Sequence, residues 1–280
     1  MWRRVTRGGT GRLADYTAYL ERGTFSDEGS TGRRYTRLEA PRTQAQFVAV
    51  HAMSTLEHIG LPPLRNSLAR ELENIRTLLL QMFVRAESMV GQAVRSVMER
   101  DFALARQVLA SDRELNRLEI DVDSRCLTYL ARWHPVGRDL RFVAIVMKMV
   151  TDVERIGDIA CNIAKRGLEL GGGSGFEPTG DLRRMGDMVV KMIRRASEAF
   201  VGGDVEASRE VIASDEEVDA CNIRLFRRWA KAMGAHPDQV ERALAYCSVS
   251  KSLERIADHT VNLAQMVIFL VEGRDVRHQS

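Results

Sequence analysis

Five residues recur almost unchanged one hundred positions apart: Glu154-Arg155-Ile156-Gly157-Asp158 and Glu254-Arg255-Ile256-Ala257-Asp258. Each copy spaces a Glu and an Asp at i, i+4, and Asn162 or Asn262 follows one turn later. On a helix, successive members of such a row lie ~40° apart around the axis and ~6 Å along it, so each row is one polar strip. The strip borders a core stripe, Met149, Val153, Ile156, Ala160 and Ile163 in one copy and Val249, Leu253, Ile256, Thr260 and Leu263 in the other. A preceding segment repeats the arrangement. Asp112, Asn116, Glu119 and Asp123 follow the stripe Ser111, Leu115, Leu118, Val122; Asp215, Asp219 and Asn222 follow Ser214, Val218, Cys221, Leu225.

Two acidic rows on neighbouring helices bring oxygen ligands together. Converging carboxylates repel one another and need cations or protons to coexist. Oxygen donors without His or Cys suit Fe, Mn or Mg, with Zn less natural, and a carboxylate pair can bridge two metals. The candidate ligands are Glu154, Asp158, Glu254, Asp258, Asp215, Asp219, Asp112, Asn116 and Glu119. A blander reading stands beside this one. Arg155 and Arg255 adjoin the acids, and helical bundles carry solvated ion pairs at this spacing.

Other chemistries lack their residues. There is no G-x-x-x-x-G-K-[ST] loop, no nucleophile with its base, and no motif for an organic cofactor. A metal-storing or metal-dependent redox bundle is the alternative function, but the ferritin-like form needs Glu-x-x-His on two helices. No histidine here has Glu three residues before it. His259 follows Asp258 yet points ~100° from the row, as a packing or surface residue.

The elements that position these rows are helices. From Leu64 the pattern is helical almost without interruption, beginning with "LARELENIRTLLLQMFVRAESMVGQAVRSVMER". Asp101 is placed to N-cap a second helix running to about Trp133, "HPVGRD" turns the chain, and a third helix runs from about 139 to 169. "RDFALARQVLASD" (100–112) then returns as "GDVEASREVIASD" (203–215). The chain is a tandem duplication of a unit of three long helices, and such helices with short turns make bundles. The expected class is all-α, a tandem pair of three-helix bundles made of six long antiparallel helices. The units span 64–170 and 181–273, with a linker at 171–180 and a tail at 274–280.

Residues 1–63 differ, being rich in Gly, Thr, Ser and Arg, and read as a disordered extension. A start-site artefact with Met53 as the true first residue is the other reading. Residues 1–44 hold nine Arg and five acids, so the +3 net charge comes from this segment and the remainder is −1. The helical part is therefore no nucleic-acid binder by charge. Cys126, Cys161, Cys221 and Cys247 stand apart and read as reduced core residues of a cytoplasmic protein. No run of ~18 apolar residues could span a membrane, so any membrane contact comes through partners.

Taken together, the repeated "D-x-x-[LV]-[ND]" segments, the two "E-R-I-[GA]-D-x-x-x-N" segments, the start "LARELENIRTLLLQM" and the end "VEGRDVRHQ" resemble the PhoU family over about 66–279. The resemblance implies a non-enzymatic, cytoplasmic regulator of phosphate uptake. It would act as an adaptor between the ATPase subunit of a phosphate ABC transporter and a sensor histidine kinase, and would keep starvation genes repressed when phosphate is plentiful. It also implies a homo-oligomer, such as a homodimer, and metal held by E/D-x-x-x-D motifs. Glu154, Asp158, Glu254, Asp258, Asp215, Asp219 and Asp112 match that pattern, and Asn116 and Asn222 depart from it. Ala257 in place of Gly157 is expected to loosen the helix contact only slightly.

Overall fold

The structure is a computed structural model that describes residues 62–171 and 178–274. The extension before residue 62, the middle of the linker and the last six residues lie outside the described residues, as do the expectations placed on them. Six long helices carry the described residues: α1 Pro62–Glu99, α2 Phe102–Trp133, α3 Gly137–Leu170, α4 Gly180–Gly202, α5 Val205–Ala235 and α6 Val240–Glu272. A 3-10 turn, Pro237–Gln239, precedes α6, and no strand occurs among the described residues. The all-α tandem arrangement expected from the duplication is what forms.

Local chemistry sets the helix boundaries. Asp101 caps α2, its carboxylate accepting the Leu104 N–H at 2.9 Å, and Asp204 does the same for Ala207 on α5 at 2.9 Å. Each cap satisfies one of the N–H groups that a helix start leaves without a partner. The residue just past the end of α1 is Arg100 at φ 55°, and the corresponding residue past α4 is Gly203 at φ 61°. The second repeat thus places glycine where a left-handed residue is needed, and the first makes an arginine adopt it.

Core stripes behave as their spacing demands. Met149, Val153, Ile156, Ala160 and Ile163 on α3, and Val249, Leu253, Ile256, Thr260 and Leu263 on α6, are all buried. The helices pack α2 on α3 in the first repeat, with α5 on α6 and α4 on both in the second. The repeats are joined by α3 against α6 and by α1 against α4, where a Cβ at Gly186 would sit 2.6 Å from Val94 Cγ1. One hydrophobic core runs through both repeats. Phe83 of α1, Phe200 of α4 and Phe142 of α3 stack in series, each step 6.3 Å between centroids. All four cysteines are free, three of them buried, in keeping with a packing role.

Candidate functional site

The first acidic face lies where α2 packs on α3. Leu115 of α2 is fully buried, and it reaches the position where Gly157 has no side chain: a Cβ there would stand 2.1 Å from Leu115 Cδ2. That close approach sets the two polar rows side by side. Burial, then Asp123 and Asp158, push the Glu119 carboxyl above the usual range, against the pull of Arg155. Burial, then Asp158 and Glu119, do the same to Glu154, which also shares a hydrogen bond with Asp158. Burial alone raises Asp123. Arg155 stands 3.7 Å from Glu154 Oε2 and 3.7 Å from Asp158 Oδ2, with over half of its side chain exposed.

Asp112 and Asn116 occupy the N-terminal end of that row and engage each other. Asn116 Nδ2 donates to Asp112 Oδ2 at 3.4 Å. The Cys161 thiol, pushed up to about 12 by burial and then by Asp112, stays protonated and donates to Asp112 Oδ1 at 3.7 Å. Asn116 Oδ1 is buried without a hydrogen-bond partner.

The second face lies where α5 packs on α6. Val218 and Ala257, the counterparts of Leu115 and Gly157, are both fully buried. Burial, then Asp219, Asp258 and Glu254, push Asp215 up to about 6. Burial, then Glu254 and Asp219, raise Asp258, opposed by Lys251 and His259. Asp215 Oδ1 is buried with no hydrogen-bond partner. Lys251 Nζ lies 2.6 Å from Glu254 Oε1 and 2.5 Å from Oε2. Oε2 itself is buried without a well-directed donor, so its link to Lys251 is a contact of charge.

The structure therefore gathers Glu119, Glu154 and Asp158 into one field and Asp215, Asp219, Glu254 and Asp258 into another. Neither is a finished coordination shell. As the side chains stand, no three His, Cys, Asp or Glu among the described residues surround a point that one metal ion could occupy. Donor chemistry and charge nevertheless fit a hard cation. The donors are oxygens, three of them are buried without a hydrogen-bond partner, and the carboxylates raise one another for want of positive charge.

Two charged residues escaped the sequence reading. Lys251 sits i, i+3 from Glu254, a spacing that marks facing side chains on a helix and could have revealed it. The other is Asp152, whose Oδ1 stands 2.7 Å from His259 Nδ1 across the joint between the repeats. A partner 107 residues away leaves no local signal. His259 is thus a part-buried residue tied to Asp152 across the joint, where its direction on the helix implied only packing or surface. On the far side of α2, a groove of about 790 Å³ between α1 and α2 is lined by Leu80, Val84, Met89 and Leu118 and by the charged Arg85, Glu114, Arg117 and Asp121.

Comparison with known proteins gives one family. The PhoU domain matches residues 79–167 and again 182–267, one copy per repeat. Phosphate-specific transport system accessory protein PhoU homolog from Pseudomonas putida is 38% identical over 210 residues, 74% of this chain and 82% of that protein. Its counterpart from Pseudomonas aeruginosa is also 38% identical over 210 residues, 74% of this chain and 86% of that one. The crystal structure of PhoU from Pseudomonas aeruginosa superposes with a TM-score of 0.70 at 36% identity, covering 74% of this chain and 99% of the other. Among the described residues no helix is long and apolar enough to cross a membrane.

Proposed function

This chain belongs to the PhoU family, and from that premise we propose that it is an accessory and regulatory protein of phosphate transport. It works in the cytoplasm as a homo-oligomer and performs no catalysis. It docks on the ATPase subunit of a phosphate ABC transporter and on a sensor histidine kinase, and it holds starvation genes off when phosphate is plentiful. The observation that carries this reading is the match of both repeats, in order, to relatives named for the phosphate-specific transport system.

The acidic faces supply the working surface. We infer that they hold divalent or trivalent cations such as Fe or Mn, with Mg and Zn as further candidates. Glu154, Asp158 and Glu119 would hold one, with Asp112 and Asn116 at the edge. Asp215, Asp219, Glu254 and Asp258 would hold the other. A bound ion would supply the positive charge that these carboxylates lack and so fix the spacing of α2 on α3 and of α5 on α6. The protein's own part is to present the oxygens, already partly desolvated, from two rigid helices.

Deleting the gene in its host and assaying alkaline phosphatase in phosphate-rich medium tests the regulatory reading. Derepression is expected, restored by the native gene but not by one carrying Glu154→Gln, Asp158→Asn, Glu254→Gln and Asp258→Asn. Unchanged repression in the deletion strain overturns it.

A further inference from the structure

The two faces are chemically unequal, and one of the differences is a cation present on the second face alone. The first face carries Asp112, Glu119, Glu154 and Asp158; the second carries Asp215, Asp219, Glu254 and Asp258. Asp123 adds a fifth carboxylate beside Glu119 on the first face, where the second repeat has Phe226. On the first face the nearest cation is Arg155, whose nitrogens stay 3.7 Å from its acids; it and Lys251 are similarly exposed, and distance is what separates them. On the second, the Lys251 ammonium spans both oxygens of Glu254 at 2.6 and 2.5 Å and bears on Asp258 as well. The residue corresponding to Lys251 in the first repeat is Thr151, which has no charge.

Resting on the reading of these faces as cation sites, we propose that Lys251 is a tethered cation that occupies the second face and competes with metal there. The first face then fills at low metal concentration, and the second fills only when an ion displaces the Lys251 ammonium from Glu254. An ammonium is suited to such exchange. It is a compact charge on a flexible four-carbon stem that can swing into water and return. A carboxylate held by a charge-assisted contact must lose that contact before it can ligate an ion. The two faces would therefore report two different ranges of metal concentration through one protein.

The test uses the full chain, stripped of metal and titrated with Mn²⁺ alone by calorimetry. The native protein should show two classes of site whose affinities differ by about tenfold or more, the size of effect expected when one charge-assisted contact must be given up. Glu154→Gln should remove the tighter class and so assign it to the first face. Lys251→Thr, which copies the first repeat, should tighten the weaker class by about tenfold, whereas Lys251→Arg should leave it weak. A second measurement needs no variant. Under trace acylation read by mass spectrometry, Mn²⁺ should raise the labelling of Lys251 while leaving that of exposed Lys148 and Lys191 unchanged. Two native classes of equal affinity, a weaker class untouched or loosened by Lys251→Thr, or labelling indifferent to Mn²⁺ would each overturn the proposal and leave the cation reading standing. No Mn²⁺ bound by native protein or by either Lys251 variant overturns both.

Discussion

Gly157→Ala isolates the contact that sets the spacing of the first acidic face. The added methyl carbon would stand 2.1 Å from Leu115 Cδ2, where carbon atoms need ~3.5 Å or more. Leu115 is fully buried, so it can yield only by leaving its rotamer among close-packed neighbours. Overpacking of this kind costs about 1–3 kcal/mol. Replacing glycine by alanine inside a helix returns about 1 kcal/mol, so the single variant should lose about 1 kcal/mol, or roughly 2–4 °C in Tm. Leu115→Val alone removes a methyl-sized volume and should also lose about 1 kcal/mol. The pair together recreates the Val218 and Ala257 arrangement of the second repeat, which is fully buried without such a clash. The double variant should therefore match the native protein, a coupling of about 2 kcal/mol. Urea unfolding of the four proteins, followed by circular dichroism, measures it. Additive losses in the double variant, or a gain in stability from Gly157→Ala alone, would refute the reasoning.

Three further outcomes follow from the geometry. Asp215 has its folded-state pKa raised to about 6, above its ordinary 3.8. The stability tied to its proton is thus fully present below the ordinary value and is lost as pH rises through about 6. The shift of about two units is discounted for the solvent that reaches this part-buried group. Asp215→Asn should then stabilise the metal-free protein by about 1 kcal/mol near neutral pH, with the gain vanishing toward about pH 4 in thermal melts across pH. Asp204→Ala removes the carboxylate that accepts the Ala207 N–H and should cost about 1 kcal/mol of global stability in urea. Phe200→Ala empties the middle of the three-ring stack and should cost about 3–5 kcal/mol, lowering Tm by roughly 10 °C in calorimetry.

Much of the fold was legible because a helix converts spacing into faces. The stripe from Met149 to Ile163 and its counterpart from Val249 to Leu263 are buried throughout, as a 3.6-residue period requires. Asp101 could be recognised as a cap because its side chain acts within three residues of itself. The acidic rows were equally legible as strips. What spacing could not show was the depth to which each acid sinks: Asp215 is driven to about 6, while Asp219 beside it on the same row is exposed. Depth depends on how closely the next helix approaches. By sequence alone, the exchange of Gly157 for Ala257 implies only a slight loosening. The structure shows it matched by the exchange of Leu115 for Val218, a reciprocity across two helices that appears only when they are packed.

The joint between the repeats has a history written into its symmetry. The third helix of one repeat packs on the third helix of the other, α3 on α6, and the first helices α1 and α4 meet likewise through Gly186 and Val94. Like meeting like is the pattern of an isologous contact, the kind by which identical subunits form a two-fold pair. A lone repeat would thus carry a self-complementary apolar face and pair with a second copy, at the mercy of its concentration. Joining the two in one chain makes the pairing intramolecular and independent of dilution. It also frees the two sides to differ, so that Phe200 can project from one first helix and Val97 from the other. Only after that release could a position such as 251 carry a charge that its twin at 151 does not.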